Sequence, residues 1–233
     1  MKQFINFVYN FFKFYKNTKK QNDIFTHNYT NISNNCYDRE EFLVGLSQAK
    51  KVLHFGFLDS PFCEKKIVSK ELLHLKLIEE SKEVFGVDID EETLHKYRSL
   101  TSDYNNGICD ITKDIDNISD FAKGYEVILF PEVLEHLLDV GSALKNLYHI
   151  CEVNNAKLCI TVPNAFFIMG FCAAISGREI VHPNHYYYFS PSTLFKLLSD
   201  TGFKNIQIDF YISSDMKNMP GLVKNGIIAT CTA

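Results

Sequence analysis

The sequence has no GxGxxG run, no CxxC pair, no apolar stretch long enough to span a membrane and no large excess of either charge. Each absence excludes a class. Without three glycines at that spacing, a loop cradling a dinucleotide pyrophosphate is not expected, which disfavours a nicotinamide-dependent oxidoreductase. Seven cysteines, an odd number scattered from Cys36 to Cys231, give neither a disulfide framework nor a zinc knuckle by spacing. They suit a reduced, cytoplasmic setting. The leading aromatic segment is broken by Lys13 and Lys16 before any small-residue cleavage site, so neither a secretory signal nor a membrane span is expected. With 24 basic and 28 acidic side chains, the net charge of -4 is too balanced for a protein held on nucleic acid through its phosphates. No nucleic-acid partner is expected.

The charge is unevenly placed. Residues 1–20 hold five lysines and no acid, so the remainder is distinctly acidic. In that basic segment Phe4, Phe7, Val8, Phe11 and Tyr15 recur at helical spacing, with Gln3, Asn6, Asn10, Lys13 and Lys20 opposite. This predicts an amphipathic helix. Its apolar stripe must be covered by the domain, by a second subunit in a homodimer, or by an anionic membrane surface at which the protein would sit peripherally. Residues 21–37 are rich in Asn and Thr and aperiodic, which reads as a loop or linker. Residues 1–49 are therefore expected to be a helix and linker ahead of a domain spanning residues 50–233.

From Lys50 onward strand-like runs alternate with helical patterns, the signature of βαβ units and a parallel sheet. Strands are expected in KVLHFG, EVFGVDID, NNGICDI, YEVILF and AKLCITVP, with helices over Val68 to Lys82, Glu91 to Leu100, Val133 to Cys151 and Pro191 to Thr201. Two closing runs, Asn205 to Ser213 and Gly226 to Thr232, should pair antiparallel at the edge. The expected fold is α/β: a doubly wound, mostly parallel seven-stranded sheet with an N-terminal helical extension. In such sheets ligands lie beyond the carboxyl ends of the strands. The residues just after each strand are thus the candidates.

The first strand ends in HFGFLDSPF, whose one glycine, Gly56, is flanked by bulky side chains. A ligand without phosphates suits it better than one with them. Asp88 ends the second strand, where a carboxylate can accept from a ribose diol, and Ile89 offers an apolar face for a base. Asp110, in GICDIT, can accept from an exocyclic amine, with Ile111 continuing the apolar slot. The plain alternative for each acid is a turn cap.

The order KVLHFGFLD, VFGVDIDEETL, GICDI, YEVILFPEVLEHLLD, LCITVPN and HYYYFSPSTLFKLLSDTGF resembles the class I S-adenosylmethionine-dependent methyltransferases, in particular the small single-domain type with EVLEHL after the fourth strand. The similarity runs from about Lys50 to Ala233. It implies a Rossmann-like sheet, S-adenosyl-L-methionine across the strand ends and methyl transfer to a nucleophile. By position, Gly56 would lie under the methionyl part, Asp88 would bind the ribose hydroxyls, and Asp110 with Ile111 would flank the adenine. Phe130, Pro131 and Glu132 would border the sulfonium. Where the family commonly has an acid two residues before the glycine, this chain has His54, a candidate hydrogen-bond donor to the loop or to the cofactor carboxylate. A second histidine, His74, follows in ELLHLKL.

Methyl transfer gains from alignment and water exclusion, and needs a base when the acceptor is a hydroxyl. The candidates are His136, in EVLEHL, and His182 and His185, in VHPNHYYYFS. The segment from Ala165 to Ser190 is long for a connection and aromatic, as a lid or binding loop is. Tyr186, Tyr187, Tyr188 and Phe189 cannot all face one way; Arg178 and Glu179 are candidate acceptor contacts or solvated charges. Spacing supplies no third ligand to His182 and His185, so no metal is expected. The acceptor expected is a small molecule or glycan, methylated at a hydroxyl. The alternative is a catalytically inactive methyltransferase-like binding or scaffold protein.

Overall fold

A computed structural model describes residues 6, 9, 10, 13, 32–113, 123–212 and 225–233. The chain divides into two compact units, Met1–Thr30 and Asn31–Ala233. In the first, Asn6, Tyr9, Asn10 and Lys13 are helical, while the expected apolar stripe of Phe4, Phe7, Val8, Phe11 and Tyr15 lies outside the described residues. Among the described residues no helix is long and apolar enough to cross a membrane.

The second unit is one sheet with helices on both faces. Its strands are β1 (Ile32–Tyr37), β2 (Lys51–Phe55), β3 (Glu83–Asp88), β4 (Asn106–Ile108), β5 (Val127–Pro131), β6 (Lys157–Pro163), β7 (Lys204–Tyr211) and β8 (Gly226–Thr232). They lie in the order β1-β7-β8-β6-β5-β2-β3-β4. All neighbours are parallel except β8, which runs antiparallel between β6 and β7. Strand order reverses beside β2, which pairs with β3 on one side and β5 on the other. A crevice opens there, at the carboxyl ends.

The helices are α1 (Arg39–Ser47), α2 (Cys63–Ser69), α3 (Leu73–Glu80), α4 (Glu91–Thr101), α5 (Val140–Asn154), α6 (Ile168–Ile175) and α7 (Pro191–Thr201). Because strand side chains alternate, Val127 and Leu129 pack under Leu43 of α1 and Leu77 of α3, while Ile128 and Phe130 join Leu144 and Leu147 of α5 and Leu194 of α7. Both faces are covered, so β5 and β8 read as nearly unbroken apolar runs. Capping fixes the helix starts: Asp38 accepts from the Glu40 and Glu41 N–H groups, Asp139 from Ser142, and Ser190 forms a reciprocal box with Thr193.

Several expectations are corrected. The sheet has eight strands, because residues 32–37, read as linker, form β1 and pair with β7. The closing pair is antiparallel as expected, but β8 lies inside the sheet and β7 is itself covered by β1. The helix expected over Val68 to Lys82 is two, broken at Lys70 in the left-handed region. The one expected from Val133 is a short 3-10 turn, Leu134–His136, followed by α5, whose start Asp139 sets.

Candidate active site

The crevice contains a cavity of about 560 Å³ lined by residues from several segments, among them Arg39, Gly56, Asp88, Ile89, Glu132, Glu135 and the histidine trio described below. Gly56 follows β2 directly, with φ +68°, and its N–H donates to the Val87 carbonyl at 2.8 Å. A Cβ there would stand 2.3 Å from Val133 Cγ2, so the glycine is needed both for its backbone conformation and for the close approach of the turn after β5. Of the bulky pair that follows, Leu58 is buried in a cluster with Cys63, Leu72, Leu94 and Tyr97, and Phe57, almost fully buried in the same cluster, also forms part of the cavity wall.

Asp88 holds this loop to β3. Its Oδ2 accepts from the Leu58 N–H at 3.0 Å, and Oδ1 accepts from Ile89 at 2.8 Å and Asp90 at 3.2 Å. Burial raises its carboxyl from the ordinary value, against the pull of those three donors. Ile89 is 65% exposed on the cavity wall.

His54 and His74 form a buried pair, 2% and 0% exposed, with their Nδ1 atoms 3.1 Å apart. His74 Nε2 lies 3.6 Å from Asp103 Oδ2, which also accepts from the Tyr97 hydroxyl at 2.7 Å. The tautomers that suit this chain put the His74 proton on Nε2, facing the carboxylate, so that His54 Nδ1–H donates to His74 Nδ1. Burial holds both imidazoles below the usual histidine range, His54 further through the neighbouring His74 and Arg39. His54 reaches the cavity wall while His74 does not.

After β5, Glu132 has φ +53°, an uncommon conformation for a side chain of its size. Its carboxylate accepts from Thr161 Oγ1 at 2.8 Å and from the Tyr211 hydroxyl at 3.0 Å, with Arg39 at 3.7 Å. Glu135 is fully buried, and neither carboxyl oxygen has a hydrogen-bond partner among the described residues. Burial, and next to it the Glu132 charge, pushes its carboxyl up to about 9.

His136 closes the 3-10 turn and meets the segment arriving from α6. Its Nδ1 lies 3.1 Å from the Asn184 carbonyl, which can only accept, so Nδ1 carries the proton and Nε2 a free lone pair. The Tyr186 N–H donates to the Glu135 carbonyl at 2.9 Å, and the Tyr187 hydroxyl to the Leu138 carbonyl at 3.0 Å. The segment is thereby clamped on the turn. His182 and His185 come to His136 with ring centroids 5.8 and 4.5 Å away. Burial, then the other two rings, lowers His185 to about 4; burial also lowers His136, against its bond to Asn184. Beyond the trio lies a second cavity of about 550 Å³, lined by Asn164, Phe167, Arg178, Glu179 and Tyr188 and sharing His182 and His185 with the first.

The structure thus gathers His54, Gly56, Asp88, Ile89, Glu132, His136, His182 and His185 around one cavity. It does not bring Asp110, Ile111 or Phe130 to that wall. Asp110 accepts from the Thr112 N–H and hydroxyl and pairs with Lys113, while Ile111 and Phe130 are packed in the core. Of the aromatic run, Phe189 is core and the three tyrosines are exposed, so the segment faces both ways. Sequence reasoning missed Arg39, on a segment read as lying ahead of the domain, and Tyr211, at the end of β7, and passed over Asn184 inside VHPNHYYYFS and Glu135 inside EVLEHL.

The family model described as a methyltransferase domain matches residues 48–208. The chain belongs to the methyltransferase-domain family, in the S-adenosylmethionine-dependent class, and its cofactor is S-adenosyl-L-methionine. No curated protein matches it. Among solved structures, a SAM-dependent methyltransferase from Archaeoglobus fulgidus is 16% identical, with 83% of this chain and 94% of that one covered at a TM-score of 0.51. A TehB-like SAM-dependent methyltransferase from Corynebacterium glutamicum is 14% identical, with 96% of both chains covered at 0.53. The small RNA methyltransferase HEN1 is 13% identical, with 83% of this chain and 24% of that one covered at 0.57. At such identities these likenesses establish the fold.

Proposed function

We propose that the protein methylates a hydroxyl of a small acceptor seated in the second cavity, drawing on S-adenosylmethionine held in the first. The observation that carries this reading is the histidine trio at the seam, since His182 and His185 line both cavities. The first cavity has the size of an ordinary cofactor site, its glycine cradle would be filled by any Cβ, and Leu58 is folded into the core beside it. Asp88 and Ile89 would take the ribose and adenine, the Gly56 loop with His54 the methionyl part, and Glu132 the region of the sulfonium. When bound, the cofactor supplies an electrophilic methyl whose carbon–sulfur bond breaks with its electron pair left on sulfur. His185 receives the hydroxyl proton as the acceptor oxygen bonds to that methyl carbon. Its neutral form at physiological pH leaves a lone pair to do so.

The apolar side chains lining the second cavity, Pro163, Ala165, Phe167, Ala174 and Ile180, favour an acceptor with an apolar part. Arg178 and Glu179 would contact its polar groups. The test is purified enzyme with labelled cofactor and a panel of small hydroxylated acceptors, products read by mass spectrometry. His185→Ala is expected to lower turnover about a hundredfold or more with S-adenosylhomocysteine affinity nearly unchanged. Parallel losses of stability and cofactor affinity would mark His185 as structural instead.

A further inference from the structure

We infer that His136, His182 and His185 form a binding site for a divalent transition cation of the zinc and cobalt type. One ligand atom from each of the three lies within 4.8 Å of the other two. Around an ion with tetrahedral metal–nitrogen bonds of roughly 2.05 Å, ligand nitrogens stand about 3.3 Å apart, so small ring rotations close the set. His182 and His185 are one loop turn apart, the His185 N–H donating to the His182 carbonyl at 3.0 Å. The third ligand comes from the turn after β5, forty-six positions earlier than the nearer of them.

The surroundings carry the marks of a ligand set. A metal-binding imidazole usually donates its other ring N–H to a carbonyl or carboxylate, which fixes the tautomer. His136 does so, through Nδ1 to Asn184, leaving Nε2 free. The backbone clamp between Tyr186 and Glu135 holds the two ligand-bearing segments together without involving the rings. Glu135, next to His136 in the chain, adds an independent observation: a fully buried carboxyl on the same cavity wall with neither oxygen hydrogen-bonded among the described residues. One adjustment is required. His182 Nδ1 accepts from the Asn184 N–H at 3.3 Å, and this long bond would open as the ring turns.

Three imidazoles favour zinc, cobalt or nickel over magnesium or calcium, which prefer oxygen donors. Three protein ligands leave a tetrahedral ion one open position, the pattern of sites that take a substrate atom rather than of closed structural sites. That position would face an acceptor oxygen, and with the ion bound His185 serves as its ligand in place of acting as the base; this consequence rests on the proposed function, whereas the binding of the ion does not.

The test is a titration of the full chain, freed of metal by chelation, with Co²⁺ alone. One equivalent should give visible d–d absorption of a low-coordinate nitrogen site, without thiolate charge-transfer bands from the seven cysteines. His182→Ala, at an exposed position, and His185→Ala should each weaken Co²⁺ binding about a hundredfold or more. Excess Mg²⁺ should not displace the ion. Equal Co²⁺ affinity in wild type and both variants, thiolate bands, or displacement by comparable Mg²⁺ would each overturn the assignment. Binding of S-adenosylhomocysteine, measured in the same samples, confirms that the variants are folded. Its absence from wild type would refute the cofactor reading while leaving the cobalt result standing.

Discussion

Replacing Gly56 by alanine tests whether the β2 loop and the turn after β5 are fitted to each other. Two costs add. A side chain at φ +68° costs about 1 kcal/mol, and a Cβ 2.3 Å from Val133 Cγ2 forces the overpacking worth roughly 1 to 3 kcal/mol. Gly56→Ala should therefore destabilise by about 2 to 4 kcal/mol. The geometry also says how to undo it. The next atom the new Cβ would meet is Val133 Cβ at 3.8 Å, an ordinary contact, so Val133→Ala removes the whole clash. Val133→Ala alone, at a half-buried position, should cost about 1 kcal/mol. The double variant should then be about as stable as Gly56→Ala, or more stable, rather than weaker by the sum, leaving a coupling of roughly 1 to 3 kcal/mol. Urea denaturation of the four proteins reads this directly, and S-adenosylhomocysteine affinity should return in the double variant along with stability. Additivity within about 0.5 kcal/mol would refute the steric argument and leave only the backbone term.

Asp88→Ala should weaken S-adenosylhomocysteine binding by about 2 to 4 kcal/mol, since it removes the carboxylate proposed to accept from the ribose and also frees the Leu58, Ile89 and Asp90 N–H groups that order the loop; calorimetry that finds an unchanged dissociation constant removes it from the site. Because burial lowers both His54 and His74, the unfolded chain takes up protons they refuse, so stability should fall as pH drops below about 6.5, by up to about 1.4 kcal/mol per pH unit for each histidine. Denaturation midpoints that stay flat between pH 7 and 5 would contradict this. For the lysine-rich residues 1–20, a truncated protein that precipitates while the full chain ignores anionic vesicles would indicate packing on the domain or a second subunit; salt-sensitive co-sedimentation lost on truncation would indicate a membrane surface.

Much of the sheet was legible because its strands are buried on two faces. The run VILFP in β5 is apolar without interruption, and the KLCITVP of β6 is apolar but for Lys157 at its start and the buried Thr161, so their type and order follow from pattern alone. The ISNNCY of β1 carries no such pattern, since it lies at the edge of the sheet and pairs only with β7. Strand-end acids were readable as candidates, but not which of them face the crevice. Asp88 turns to the loop after β2, whereas Asp110 satisfies itself through Thr112 two positions on. The histidine trio was half visible. His182 and His185 are close in sequence, while His136 joins them only because a backbone clamp brings the α6 segment onto the turn after β5.

The pairing of β1 with β7 bears on how short a working fragment can be. A fragment trimmed to residues 48–208, the span of the family match, would lose more than a tail. It would leave out β7's last residues and all of β8, and with β1 gone no neighbour would remain to protect what is left of that edge from pairing with another molecule. Restoring the carboxyl-terminal strands alone would not complete the repair. Arg39, the cation beside Glu132, is delivered by the first residue of α1, immediately after β1. A fragment starting at residue 50 would thus expose a sheet edge and strip the positive charge from beside the Glu132 carboxylate on the cavity wall in a single cut. Boundaries for expression belong before residue 32.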